Sequence, residues 1–222
     1  YNQITNFRLM IRLAICDDHK IVREGIRQII QGFHDITLIQ NDISTGEELL
    51  QVLRKTEVDV IILDVSLPGR SGLEVLKQVK ILHPKTNVLI LSMYPEDQFA
   101  IRMLKAGASG YLHKDSSPDV LIEAIRVISK GGEYLSPEIT KLLFREMNNK
   151  HQELPHTSLS DREYEVFLAI GDGRPNNAIA LQLSLSAKTI STYRSRVLKK
   201  MNLDNNSDMI KYILLHNLSP SV

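Results

Sequence analysis

Asp17, Asp18 and Asp64 are the residues whose placement invites chemistry. The first two directly follow an apolar run at residues 13–16, and Asp64 closes the longer run at 58–63. Val- and Ile-rich runs of this kind read as buried parallel strands, and open α/β sheets bind ligands outside the carboxyl ends of such strands. All three carboxylates would then meet in one crevice. Like charges that close repel, so either one keeps its proton or a hard divalent cation binds them through oxygen, which suits Mg2+. Ser92 follows the run at 88–91, and Lys114 comes just after the run at 110–112. A nucleophilic carboxylate, a hydroxyl donor and an ammonium beside a metal make a phosphoryl-transfer site. Taken singly, each residue has a plainer reading. An aspartate at a strand end is usually a turn or cap residue, His19 reads as a first-turn helix residue, and Cys16 as a small buried hydrophobe. The constellation carries the chemistry.

Positioning those side chains requires a scaffold. Apolar runs at 13–16, 37–39, 58–63, 88–91 and 110–112 are each followed by a helical pattern. Thr45-x-x-Glu48 and Ser71-x-x-Glu74 are capping-box signals, and Pro95 and Pro118 sit at first-turn positions, the latter after Ser117. Five βα units imply a doubly wound sheet with right-handed crossovers. Gly131-Gly132 ends the fifth helix, Ser136-Pro137-Glu138 opens another through about Met147, and polar residues 148–156 read as a flexible hinge. Ser160-Asp161-Arg162-Glu163 is a capping box opening a helix that buries Val166, Phe167 and Ile170. No strand signal follows. A short helix around 176–183, a Ser184-Leu185-Ser186 turn and a longer helix over 187–201 form a helix-turn-helix pattern. The expected architecture is an α/β doubly wound (βα)5 domain at 10–130, a helical linker and hinge at 131–156, and a small all-α helix-turn-helix domain at 157–222. Residues 1–9 receive no role.

Hydrophobic residues make up 43% of the chain and charged residues 24%, the balance of a soluble globular protein, and no apolar run approaches the roughly 20 residues of a membrane helix. The lone Cys16 excludes an intramolecular disulfide or a CxxC metal site, and no basic, apolar leader opens the sequence. The expected compartment is a reducing cytoplasm. A net charge of +1 hides a local excess: between Gly173 and Leu203 stand Arg174, Lys188, Arg194, Arg196, Lys199 and Lys200 with no acidic residue. That pattern favours a polyanion. At about 100° per residue, Ile190, Tyr193, Val197 and Met201 share one side of the 187–201 helix. Lys188, Thr192, Ser195 and Lys199 fall on the other, flanked by Ser191 and Arg196. A solvated lysine-rich face is the plain alternative, but placement after a tight turn favours DNA, with polar donors facing base edges and basic ends facing phosphates. The expected contacts are Lys188, Thr189, Ser191, Thr192, Arg194, Ser195, Arg196, Lys199 and Lys200. A last helix over 207–218 has more apolar residues than one buried face accepts, so Leu215 and Leu218 are expected to form an exposed partner surface.

Residues 11–130 resemble the receiver domain of bacterial two-component response regulators. The resemblance is carried by Asp17-Asp18, Asp64 followed by Leu67-Pro68-Gly69 and Ser71-Gly72, then Ser92, Tyr111 and Lys114. It implies that Asp64 accepts a phosphoryl group from a sensor histidine kinase. It also implies that Asp18, Asp64 and the Ser66 backbone carbonyl hold Mg2+, with Asp17 acting through water, and that Ser92 and Tyr111 form a switch pair. Ser92 stands where the family more often has Thr. The second half resembles the LuxR-type DNA-binding domain of the NarL/FixJ class. The matching words are Leu159-Ser160-Asp161-Arg162-Glu163-x-Glu165-Val166, Asn177-x-x-Ile179-Ala180 and Leu185-Ser186-x-Lys188-Thr189-Ile190-x-Thr192-Tyr193. The family often has Lys-Glu near Asn177-Ala178 and Lys in place of Ser191. Together the two resemblances imply a phosphorylation-controlled transcription regulator. Its implied partners are double-stranded promoter DNA, the kinase, RNA polymerase and, when active, a second copy paired through the last helix. The phosphoryl group would be accepted and slowly lost, not turned over.

Other classes fit less well. Asp-nucleophile phosphatases need a second acid two positions after the nucleophile, where this chain has Ser66. No G-x-G-x-x-G follows the first strand, against dinucleotide binding. A phosphorylation-independent DNA binder with a structural receiver, or a small-molecule-sensing LuxR-type protein, would not need the full acidic set with Ser92 and Lys114.

Overall fold

The computed structural model describes residues 10–39, 42–94, 96–148, 154–216 and 218. Its first half runs β1 (Ile11–Cys16), α1 (Lys20–Gln31), β2 (Ile36–Leu38), α2 (Gly46–Leu53), β3 (Val60–Leu63), α3 (Gly72–Leu82), β4 (Asn87–Ser92), α4 (Glu96–Lys105), β5 (Gly110–His113) and α5 (Pro118–Ser129). The strands form one parallel sheet in the order β2-β1-β3-β4-β5. The winding direction changes between β1 and β3, which opens a crevice at their carboxyl ends. The pairing Cys16↔Leu63 brings the ends of β1 and β3 level there, and Leu63↔Ile90 carries β4 two residues further, to Ser92. Successive strand residues alternate between faces. Ala14, Cys16, Ile61 and Leu63 pack with α2, α3 and α4, whereas Leu13, Ile15, Val60 and Ile62 pack with α1 and α5. Each large apolar side chain buried in this way contributes about 1.5–3 kcal/mol.

Local signals set the helix starts. The capping boxes Thr45/Glu48, Ser71/Glu74 and Ser160/Glu163 each make both reciprocal bonds, and Pro118 follows the N-cap Ser117. Pro95 lies outside the described residues. Gly72 is required by close approach: a Cβ there would fall 2.1 Å from the Asp64 carbonyl oxygen. Only glycine therefore lets α3 begin directly behind Asp64.

After α6 (Pro137–Asn148), which packs on α4, a short 3-10 turn at Pro155–Ser158 leads into four helices. These are α7 (Asp161–Gly171), α8 (Asn176–Gln182), α9 (Ala187–Met201) and α10 (Asn206–Leu215). Ile190, Val197 and Met201 of α9 are buried and Tyr193 packs beside them, as the rotation predicts. Ser186 caps the start of α9, and Asn202, at φ 54°, ends it in the left-handed region.

Two expectations need correction. The hinge at 148–156 falls largely on residues 149–153, outside the described residues, but its end is held: the His156 carbonyl accepts from Arg102 Nη2 at 2.7 Å. The last helix stops at Leu215, not 218. The Leu218 N–H then donates to the Ile213 carbonyl at 2.9 Å, folding the chain back and burying the Leu218 side chain. Leu218 is thus a core residue. Leu215 stays 79% exposed, with Leu214 exposed beside it.

Candidate functional site

The acidic pocket is built by strand register. The Asp64 N–H donates to the Cys16 carbonyl at 2.9 Å, so the residues that follow β1 and β3 are tied together. Asp17 and Asp64 are buried, and Lys114 Nζ bridges them at 2.7 Å to Asp17 Oδ2 and 2.8 Å to Asp64 Oδ2. The Lys114 N–H is in turn anchored on the Ser92 carbonyl at 2.8 Å. Burial, followed by the Asp17 charge, pushes the Asp64 carboxyl up to about 6 against the pull of Lys114. Burial alone would lower the Lys114 ammonium, but the Asp64 and Asp17 carboxylates outweigh it and hold it raised. Ser66 N–H donates to Asp64 Oδ1 at 3.3 Å. Asp18 Oδ1 is buried 2.7 Å from His19 Nδ1. Donor atoms of Asp17, Asp18, His19 and Asp64 lie within 4.8 Å of one another. The three carboxylates face a single bridging ammonium, and their oxygens fit a hard divalent cation such as Mg2+. His19 departs from its expected role: it is the N-cap of α1 without a side-chain cap bond, and its ring meets the acidic cluster.

Ser92 and Tyr111 hold the same residue from two sides. Ser92 Oγ accepts from the Tyr94 N–H at 3.1 Å, and the buried Tyr111 hydroxyl donates to the Tyr94 carbonyl at 2.7 Å. From there aromatic rings continue to the second domain, Tyr94 meeting Phe99 at 4.5 Å and Phe99 meeting Tyr164 of α7 at 5.4 Å. Arg102 lies 4.0 Å over the Tyr164 ring and donates to the Leu159 carbonyl at 3.0 Å. Arg162 of α7 reaches back to the loop after Asp64, donating to the carbonyls of Leu67 at 2.8 Å and Gly69 at 2.9 Å. Its other arm pairs with Glu165 at 2.6 Å. Glu165 is 1% exposed, and burial pushes its carboxyl up to about 7 with Arg162 opposing. Sequence reasoning missed this seam. Arg162 and Glu165 belong to the opening of a capping-box helix, where charges normally face water, and no local signal marks a partner distant in sequence.

The proposed nucleic-acid face is largely presented as expected. Lys188, Ser191, Thr192, Ser195, Arg196 and Lys199 are exposed, and Thr189 is partly so. Ser186, Lys188, Thr189, Thr192, Tyr193 and Arg196 line a shallow groove of about 330 Å3. The Ser191, Thr192 and Ser195 hydroxyls donate to the carbonyls four residues back, which leaves the Thr192 and Ser195 oxygens as acceptors, while Ser191 Oγ also accepts from Asn176 Nδ2 at 3.4 Å. Two basic residues are already engaged. Arg194 Nε donates to Asn206 Oδ1 at 2.6 Å, and Lys200 Nζ pairs with Glu163 at 2.6 Å, stitching α9 to its neighbours.

The response regulator receiver domain family matches residues 13–126, and the luxR family of bacterial regulatory proteins matches residues 157–213. The response regulator UvrY of Escherichia coli K12 is 32% identical over 210 residues, covering 94% of this chain and 96% of UvrY. The oxygen regulatory protein NreC of Staphylococcus carnosus is 33% identical, covering 94% of this chain and 99% of NreC. RcsB of Salmonella enterica serovar Typhimurium, solved bound to promoter DNA with the phosphomimetic BeF3−, superposes with TM-score 0.58 and 25% identity over 92% of this chain and 98% of RcsB. Among the described residues no helix is long and apolar enough to cross a membrane. Matched along both halves and against relatives of the same length, this chain belongs to the two-component response regulators of the NarL/FixJ class, transcription regulators with a receiver and a LuxR-type DNA-binding domain.

Proposed function

We propose that this response regulator takes a phosphoryl group on Asp64 from a sensor histidine kinase and then binds promoter DNA as a dimer through α9. The observation that carries the reading is the buried Lys114 ammonium bridging Asp17 and Asp64 beside Asp18, on a chain that also presents a basic helix face. An Asp64 oxygen attacks the phosphorus of a phosphohistidine. The P–N bond breaks with its electron pair going to the departing imidazole, and an acyl phosphate forms. Lys114 turns from Asp64 to donate to a phosphoryl oxygen while keeping Asp17. Asp18, Asp64 and the Ser66 carbonyl would hold Mg2+, with Asp17 acting through water. Bound there, the ion offsets negative charge on the transferring group. Ser92 gives up the Tyr94 N–H to donate to the phosphoryl group. Tyr111, bonded to the Tyr94 carbonyl, responds, and the change reaches Phe99, α4 and Tyr164. The exposed Leu214 and Leu215 pair two copies, so that two half-sites are read together. The chain acts in the cytoplasm, with RNA polymerase as the downstream partner.

The test combines mass and affinity. With Mg2+ and acetyl phosphate, the wild type should gain one phosphoryl group by intact mass, and Asp64→Asn none. Loaded protein should bind a two-half-site promoter more tightly than unloaded protein, and Leu215→Glu should remove the gain. Phosphate uptake by Asp64→Asn at the wild-type rate, or a DNA affinity indifferent to loading, would overturn the reading.

A further inference from the structure

The peptide unit between Met93 and Tyr94, directly after Ser92, is held at both ends. Its N–H, carried by Tyr94, donates to Ser92 Oγ at 3.1 Å, and its carbonyl, carried by Met93, lies 2.9 Å from His113 Nε2. A carbonyl only accepts, so Nε2 carries a proton and donates it. The other ring nitrogen agrees. His113 Nδ1 lies 3.3 Å from the Asp115 N–H, which it can accept, and 3.4 Å from Asp115 Oδ2, to which only a protonated ring could donate. Whichever Asp115 group it meets, Nε2 keeps its proton. The ring thus ties the β4–α4 loop to the β5–α5 loop. These are the loops that bring Ser92 and Lys114 to Asp64, and they are already joined at their roots, where Ser92 pairs with His113 in register and the Lys114 N–H donates to the Ser92 carbonyl at 2.8 Å. His113 extends that pairing by one peptide past the end of β4. Met93 is 60% exposed, so its own side chain does little to hold the peptide in place.

We propose that His113 is a positioning residue that holds the β4–α4 loop in its unloaded place through the Met93 carbonyl, and so sets how much of the DNA response waits for phosphorylation. This rests on the proposed phosphoryl-driven switch of Asp64, Ser92 and Tyr111. When Ser92 turns its hydroxyl to the phosphoryl group, the Tyr94 N–H loses its acceptor while His113 still holds the carbonyl of the same peptide. The loop can follow Ser92 only by breaking that bond. The bond therefore favours the unloaded arrangement, and a hydrogen bond partly open to water is worth about threefold to tenfold in such an equilibrium. Ser92 answers the phosphoryl group directly, whereas His113 does not touch it and acts only through the place it gives the loop.

The experiment compares the full chain with His113→Leu, which removes both ring nitrogens, and His113→Gln, whose amide nitrogen can stand where Nε2 stands. Affinity for a two-half-site promoter is measured with and without Mg2+ and beryllofluoride, and 15N NMR of the imidazoles follows the wild type through the same addition. In the wild type His113 should carry a proton on Nε2, and that resonance should move on loading. His113→Leu should bind DNA about threefold to tenfold more tightly than the wild type when unloaded and within about twofold of it when loaded, so that the gain on loading shrinks. His113→Gln should keep the wild-type gain. A bare Nε2, a gain on loading in His113→Leu equal to that of the wild type, or a His113→Gln variant as altered as His113→Leu would overturn the proposal while leaving the phosphoryl switch standing. A wild type whose DNA affinity ignores loading would overturn the switch, and this proposal with it.

Discussion

Two buried charged centres sit a few residues apart in this protein and serve opposite ends. In the pocket, three carboxylates gather around one lysine, Asp17 and Asp64 sharing Lys114 while Asp18 Oδ1 meets the His19 ring. In the seam, Glu165 is matched by Arg162, whose Nη2 donates to the Leu67 and Gly69 carbonyls. Both hold a carboxyl raised by burial. The difference is the balance of charge. An excess of carboxylate facing a crevice calls for a cation and leaves a nucleophile to react, whereas a matched, saturated pair holds two domains together and reacts with nothing. The two centres are also joined, because the loop that Arg162 grips begins just after Asp64.

Breaking the match should have the largest effect. Arg162→Ala strands Glu165 and is expected to destabilise the docked state by about 3–5 kcal/mol, read as a larger hydrodynamic radius and a lower urea midpoint. The double replacement Arg162→Met with Glu165→Leu should be far milder. If single and double variants behave alike, the seam is not held by the pair.

A smaller effect separates the two acids by pH. Each titrates in the folded protein above its unfolded value, so the stability conferred by the neutral form is complete below about pH 4. It is lost as pH rises through about 6 at Asp64 and about 7 at Glu165. Asp64→Asn should therefore stabilise the metal-free protein at pH 8 by about 1–3 kcal/mol and leave it unchanged at pH 4. Saturating Mg2+ should cancel that advantage without altering the pH dependence due to Glu165. A wild-type urea midpoint that is flat from pH 4 to 8 would contradict both shifts.

The smallest effect carries the comparison to α9. Lys199 is exposed, while Lys200 is paired with Glu163. Lys199→Ala should reduce the salt slope of DNA binding by about 1, since one fewer counterion is released. Lys200→Ala should change the slope less and lower thermal stability more. Equal slopes for the two variants would show that Glu163 does not withhold Lys200 from phosphate.

Much of this was legible in the chain itself. The strands announced themselves as short Val/Ile runs, Asp17, Asp18 and Asp64 by following them, and the helix starts by Thr45/Glu48, Ser71/Glu74 and Ser160/Glu163, because such signals act within a few residues. The exposed face of α9 followed from rotation alone. What tertiary structure decided were the pairings between distant residues. It seated Arg162 on the Leu67 and Gly69 carbonyls, turned His19 into the acidic cluster, gave Lys200 to Glu163 and folded Leu218 into the core. A periodic pattern says which face of an element is apolar. Which distant group meets a charge on that element depends on how the elements pack, and in this protein that placement separates the reactive carboxylates from the structural one.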